Sequence, residues 1–92
     1  MEWNEFTKNV TKTKVFSGTW LGRQGESYEY LLEKKELGLR IVVHTWLDTN
    51  EVEIRLIDGD GRTIDFKEYK KITLQHPTDE QVKVAILELL RK

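Results

Sequence analysis

The sequence predicts an α+β fold: an antiparallel β-meander of about five strands with one C-terminal α-helix packed across one face. Three observations carry this prediction. Apolar and polar residues alternate with a period of two through the middle of the chain, which is typical of half-buried strands. Short polar residues and glycines, the usual turn formers, separate those segments. The end of the chain instead repeats its apolar residues with helical spacing.

Length and composition limit the classes of protein that are possible. A chain of 92 residues and 10.9 kDa has room for one domain, which is predicted to span 1–92. Within it we expect a helical or irregular segment at 1–10, a meander at 13–74 and a helix at 78–91. The net charge of −1 creates no general attraction to nucleic acid or membranes, and the absence of cysteine excludes disulfides and thiol chemistry. No apolar run is long enough for a signal peptide or a membrane span, so we expect a cytoplasmic protein.

The first part of the chain predicts two strands. One runs over Lys14–Gly22, with Phe16, Gly18 and Trp20 on one side. The second contains the alternating residues Tyr28, Tyr30 and Leu32, although Ser27–Leu37 followed by Gly38 also fits a short helix with a glycine cap. The strand is preferred because a meander then runs unbroken. Before these strands, Trp3 and Phe6 have the spacing of one amphipathic helical turn.

Two hairpins are predicted in the centre. A two-residue turn at Thr49-Asn50 would place Leu47 opposite Val52, Thr45 opposite Ile54 and Val43 opposite Leu56. A three-residue loop at Gly59-Asp60-Gly61, with Gly61 in a left-handed conformation, would start a strand at Thr63–Lys67. That register sets Leu56 opposite Ile64 and Ile54 opposite Phe66. On the other face it pairs Arg55 with Asp65 and Glu53 with Lys67.

The C-terminal segment predicts an amphipathic helix that begins at Thr78 or Asp79 and ends near Arg91. Its apolar stripe, expected to lie on the sheet, contains Val82, Ala85, Ile86, Leu89 and Leu90. Val84 and Leu87 fall outside this stripe, on the polar side. A helix that covers only its own sheet does not need them, so we predict that Val84 and Leu87 form a homodimer interface.

The residues that could support catalysis are sparse. His44 and His76 show no metal-ligand spacing, and His44 is interpreted as a half-exposed strand residue. The Asp58-Gly59-Asp60-Gly61 run lacks the ligand spacing of a calcium loop and fits a turn instead. Asp65-Phe66-Lys67 matches a nuclease tripeptide only by its generic pattern. We therefore expect no catalytic residues, no metal site, no cofactor and no enzyme activity.

Charge is distributed unevenly along the chain. Residues 62–76 contain four bases and two acids, whereas residues 37–61 contain two bases and five acids. An open sheet face with aromatic and basic side chains can hold single-stranded nucleic acid, because bases stack while cations contact phosphates. The candidate residues for this alternative are Arg40, His44, Trp46, Arg55, Lys67, Lys70 and Lys71. The competing interpretation is that the charges form solvated cross-strand pairs and that Trp46 is covered by a neighbouring segment.

One resemblance supports that alternative. Lys71-Ile72-Thr73-Leu74, followed by Pro77 and by Glu80-Gln81 at the start of an apolar helix, resembles the end of the transcriptional-coactivator domain. That family binds single-stranded DNA as a dimer. The main expectation rests instead on Val84 and Leu87 and on the sparse catalytic candidates: a non-enzymatic binding module that acts through protein–protein contacts as a homodimer. Single-stranded nucleic-acid binding is the alternative, and a small molecule bound between sheet and helix is the third hypothesis.

Overall fold

The computed structural model describes residues 2–8, 10–32, 38–59 and 66–91. These residues form the predicted α+β fold, with five strands that pair antiparallel in the order in which they occur along the chain. The elements, in chain order, are α1 (Trp3–Lys8), β1 (Thr11–Trp20), β2 (Arg23–Leu31), β3 (Leu39–Trp46), β4 (Glu51–Gly59), β5 (Phe66–Gln75) and α2 (Asp79–Leu89). Strands β1 and β5 are therefore the two edges of the sheet.

The strand interpretation of the segment after Ser27 is confirmed as far as Leu31, where β2 ends. Residues 33–37, the rest of the segment for which a helix was the alternative, lie outside the described residues. The amphipathic turn at the start of the chain is also confirmed, since Trp3 and Phe6 lie in α1 with ring centroids 5.4 Å apart.

The predicted register of the first central hairpin is wrong by two residues. Thr45 pairs with Val52 and Val43 with Ile54, because the turn is the four-residue segment 47–50. The backbone N–H of Leu47 donates to the carbonyl of Gln24 in β2, and the carbonyl of Asn50 accepts from the N–H of His76. These two bonds attach the first and last residues of the turn to other parts of the chain. A shift of two residues leaves every side chain on its predicted face, because the period of a strand is two.

The predicted second hairpin register is also wrong. Ile54 pairs with Ile72 and Leu56 with Lys70, so β5 lies further along the chain than the predicted strand. This pairing uses the full length of β4 and places Ile72 and Leu74 of β5 beside its apolar residues, whereas the predicted register would have paired only half of it. The predicted loop glycine, Gly61, lies outside the described residues.

The same register replaces the predicted charge pairs on the other face of the sheet. The predicted partners were Arg55 with Asp65 and Glu53 with Lys67. Arg55 instead lies opposite Lys71 and forms an ion pair with Glu68, with 3.9 Å between Nη1 and Oε1. Glu53 lies opposite Thr73 in the ladder.

The core lies between the sheet and α2. The most buried side chains include Ile41 and Val43 of β3, Ile54 of β4, and Ile86 and Leu89 of α2. Thr78 caps α2 as predicted: its hydroxyl accepts from the Gln81 N–H, and the Gln81 side chain accepts from the Thr78 N–H, which forms a capping box. The predicted stripe is confirmed, with Ala85, Ile86 and Leu89 buried.

Leu87 differs from its predicted exposed position, because it is half-buried and packs against the core cluster. The buried side of α2 is wider than the predicted stripe, since α1 lies along that flank. Lys83, one turn before Leu87 on the same side of α2, places its ammonium 5.8 Å from the centroid of the Trp3 ring. Val84, by contrast, is 56% exposed, as the helical periodicity indicates.

Candidate functional site

An apolar groove runs between α2 and the edge strand β5, and we call it the α2–β5 groove. Its apolar lining consists of Ile72 and Leu74 from β5, Pro77 from the connection, and Val84 and Ala85 from α2. The groove encloses about 480 Å³. Its rim is polar, formed by Gln75, Glu80, Gln81 and Glu88. An exposed valine beside an apolar groove with a polar rim has the anatomy of a protein contact surface.

The charges around the α2–β5 groove are separated between its two ends. Helix α2 runs antiparallel to β5, because the Lys70 ammonium donates to the main-chain carbonyl of Arg91 at 2.5 Å. Lys70 and Arg91 therefore lie at one end of the groove. Glu80, in the first turn of α2, lies near Pro77 at the other end. These charges are partly compensated within the chain, because Arg91 pairs with Glu88 at 3.2 Å and Glu80 pairs with Lys83 at 3.4 Å, so the contrast between the two ends rests mainly on Lys70.

The sequence patterns predicted only some of the residues that line the groove. Helical spacing identified Val84, but Ile72 and Leu74 were noticed only as part of a resemblance. Their alternation with Lys71 and Thr73 is itself a strand signal, and it could have placed them on the helix side of the sheet.

The seven candidates for nucleic-acid binding are divided between the two faces of the sheet. Arg40, His44 and Trp46 share the face of β3 that lies away from α2, and Arg55 and Lys71 are on the same face in β4 and β5. Lys70 lies on the helix side, where it contacts Arg91. Lys67 pairs with Asp58 in the ladder, and its ammonium lies 4.9 Å from the centroid of the Tyr69 ring.

Trp46 is largely covered by its neighbours and is 8% exposed. The guanidinium carbon of Arg23 lies 4.3 Å from the centroid of its ring, and the His44 ring centroid is also 4.3 Å away. Arg23 is held in this position by Asp48, through hydrogen bonds of 2.9 Å from Nε and 3.0 Å from Nη2. These bonds lower the pKa of the Asp48 carboxyl. No local pattern in the sequence points to Arg23, because its partner Asp48 lies 25 residues away along the chain.

Several cations on this face are paired with carboxylates. The Arg40 Nη1 lies 3.1 Å from Oε1 of Glu29 in β2, and both residues are buried. The Lys71 ammonium lies 3.7 Å from Oε1 of Glu53. Ile57 and Val42 are buried on the same face, so this part of the sheet is covered and charge-paired.

His44 belongs to this covered region. Its Nδ1 atom shares a hydrogen bond with the hydroxyl of Ser27, its direct neighbour in the ladder. Its Nε2 atom faces the backbone of Gly25, where an added Cβ would lie 2.9 Å away. Burial is the main cause that lowers the pKa of His44. The packing around the ring therefore favours a neutral imidazole.

Within residues 2–8, 10–32, 38–59 and 66–91, no three His, Asp or Glu side chains lie close enough to hold a metal ion. In the same residues, neither helix has the length and apolar character to cross a membrane. Comparisons of the chain with protein-family models, with curated proteins and with solved structures found no match.

Proposed function

We propose that this chain is a non-enzymatic interaction module that forms a homodimer through the α2–β5 groove. The observation that carries the proposal is Val84, which is 56% exposed directly beside the apolar surface of Ile72 and Leu74. In a twofold arrangement, Val84 of each copy would enter the groove of the other. Such an isologous contact uses the same patch twice and closes after two copies.

The positions of Lys70 and Glu80, toward opposite ends of α2, favour a second copy of the chain as the partner. A twofold axis through the middle of the groove would bring Lys70 of one copy toward Glu80 of the other. Opposite charges then meet at both ends of the contact. Complementary charge of this kind fixes the orientation of an interface more than it adds affinity.

Contacts between side chains fit this edge of the sheet better than addition of a strand. Strand β5 carries Lys67, Lys70 and Lys71, and lysines on an edge strand oppose backbone pairing with another chain. The proposed dimer therefore buries Val84 and the groove, without joining the two sheets into one.

The experiment is sedimentation equilibrium of the wild type and the Val84→Glu variant. The wild type should fit a monomer–dimer equilibrium, and the variant should dimerise about 30-fold more weakly or not at all, as expected for a central apolar contact. Leu21→Glu is the matched control, because Leu21 is an exposed leucine in the turn between β1 and β2, at the opposite edge of the sheet. Leu87 is unsuitable for this test because it packs against the core.

Two results would contradict the proposal. One is a wild type that stays monomeric at high micromolar concentration. The other is an equal loss of association in Val84→Glu and Leu21→Glu, which would show a general effect of added charge. Circular dichroism of each variant establishes that it is folded before association is compared.

The alternative function, binding of single-stranded nucleic acid across the sheet, has less support. The ring of Trp46 is covered by Arg23 and His44, so a base would have to displace them in order to stack. Arg40 is already paired with Glu29. A shift of mixed oligonucleotides that weakens as salt rises would favour this alternative, because phosphate contacts release counterions.

A further inference from the structure

A second concavity, distinct from the α2–β5 groove, lies on the helix side of the sheet between α1 and the first turns of α2. It encloses about 730 Å³, within the range of small-molecule sites. Its floor includes Tyr28, Val43 and Thr45, which are neighbours in the ladder of β2 and β3. Trp3 of α1 and Val82 of α2 also line it. We call this space the sheet–helix cavity.

Aromatic rings are concentrated at this cavity. Tyr30 forms edge contacts with both Trp3 and Tyr28, with centroid distances of 5.7 Å and 5.6 Å. The ammonium of Lys12 already lies 4.2 Å from the centroid of the Tyr28 ring. This contact has the geometry of a cation–π interaction. It shows that the face of the Tyr28 ring is accessible to an alkylammonium group. Lys12 itself is an exposed side chain at the end of a flexible stem, so it can be displaced.

Two carboxylates from different elements also line the cavity: Glu26 from β2 and Asp79 from the start of α2. Neither forms an ion pair with a cation among the described residues, and Lys83, the other lining cation, is paired with Glu80 at 3.4 Å. The pKa of the Tyr28 phenol is raised to about 12, mainly because the group is buried. The nearby charges of Asp79 and Glu26 raise this pKa further. Both carboxylates thus act on the same phenol, which stays a neutral hydroxyl at ordinary pH.

We propose that the sheet–helix cavity binds a small organic cation, a protonated amine carried on an apolar body. The ammonium group would lie near Glu26 and Asp79 and take the place of Lys12 over the Tyr28 ring. The apolar body would lie against Trp3 and Val82, which are half-buried residues of the lining. The same chemistry is offered by a free amine and by a lysine side chain of a peptide.

The test is isothermal titration calorimetry at pH 7 with three probes of similar shape. The first is 2-phenylethylamine, which is protonated at this pH; the second is the uncharged 2-phenylethanol; the third is the anion 3-phenylpropionate. The amine should bind about tenfold more tightly than the alcohol, as a charged hydrogen-bonded contact implies. Equal binding of amine and alcohol, or tighter binding of the carboxylate, would overturn the proposal, the latter assigning Lys12 and Lys83 as the ligand-binding groups.

Variants locate the binding. Asp79→Asn and Glu26→Gln should each weaken amine binding about tenfold and leave the alcohol unchanged. Asp58→Asn, the same change at an exposed position of β4 that lines neither concavity, is the control and should change neither. Thermal melts establish that each variant is folded. Tyr28→Phe keeps the ring and removes the hydroxyl, so it should retain the binding of the amine over the ring. Undiminished amine binding in Asp79→Asn and Glu26→Gln together would place the amine elsewhere and refute the site.

A further arm distinguishes the source of the amine. A blocked peptide with a single lysine is titrated beside 2-phenylethylamine under the same conditions. Tighter binding of the peptide supports a protein lysine as the natural ligand, and tighter binding of the small amine supports a free metabolite. Failure of both to bind at millimolar concentration would overturn the proposal.

Discussion

Glu29 and Arg40 form a buried ion pair between β2 and β3, and removal of its carboxylate gives a sharp test of how the sheet is stabilised. The side chains of Arg40 and Glu29 are 7% and 11% exposed, and Nη1 lies 3.1 Å from Oε1. The Arg40 Nε also donates to the carbonyl of Gly38 at 3.3 Å. Glu29→Gln keeps the shape of the side chain but removes its charge, so the guanidinium stays buried without its counter-ion.

Breaking a buried pair on one side costs about 3–5 kcal/mol, because the remaining charge is left uncompensated. A domain of this size has a total stability of roughly 5–14 kcal/mol, so this loss is a large share of it. The control is Glu88→Gln, which removes an exposed pair with Arg91 at 3.2 Å and should cost less than about 1 kcal/mol.

Urea denaturation measures both variants, with the midpoint reporting the change when the slope is unaltered. A third variant, Glu29→Leu with Arg40→Met, replaces the pair by apolar groups and should recover most of the stability lost in Glu29→Gln. If Glu29→Gln is no more destabilising than Glu88→Gln, the pair is not buried in solution and the reasoning fails.

Two further predictions concern His44 and its neighbours. Gly25→Ala should cost about 1–3 kcal/mol in urea denaturation, because the added Cβ would lie 2.9 Å from His44 Nε2 and 3.1 Å from the Thr45 carbonyl oxygen. Gly22→Ala is the control for backbone strain, because φ is +76° there and no atom lies within 4 Å of the added Cβ. A smaller loss of stability in Gly25→Ala than in Gly22→Ala would contradict the steric argument. Since the fold lowers the pKa of His44, the unfolded chain takes up the proton first, and stability should fall as pH drops below about 6.5. Urea denaturation between pH 7 and pH 5, above the range in which Asp48 titrates, should show this fall in the wild type and lose it in His44→Gln.

The sequence was sufficient to predict the faces of the central strands but not their registers. Alternation in β3 and β4 defines which residues share a face, and a register shift of two preserves that assignment. The shift itself depends on the bonds of Leu47 and Asn50 to partners more than twenty residues away. Turn chemistry in the sequence does not report such distant partners. The matched charges of the predicted pairs, such as Arg55 with Asp65, were a coincidence in a chain with 34% charged residues.

The end of the chain was more predictable because its signals are local. Thr78 and Gln81 form a capping box within four residues, and the apolar spacing of α2 identified both its buried stripe and the exposed Val84. Burial on the second face was considered in advance only for Trp46, although the continuous run Ile41-Val42-Val43 already indicated a strand covered on both sides.

The measurement that tests the proposed dimer most directly is sedimentation of a mixture of two charge-reversed variants. Lys70→Glu and Glu80→Lys each place like charges together at both ends of the twofold contact, so each variant alone should dimerise more weakly than the wild type. Mixed in equal amounts, they should sediment as a heterodimer, because each reversed end then meets an opposite charge. A mixture that stays monomeric while the wild type dimerises, or single variants that dimerise as well as the wild type, would contradict the account.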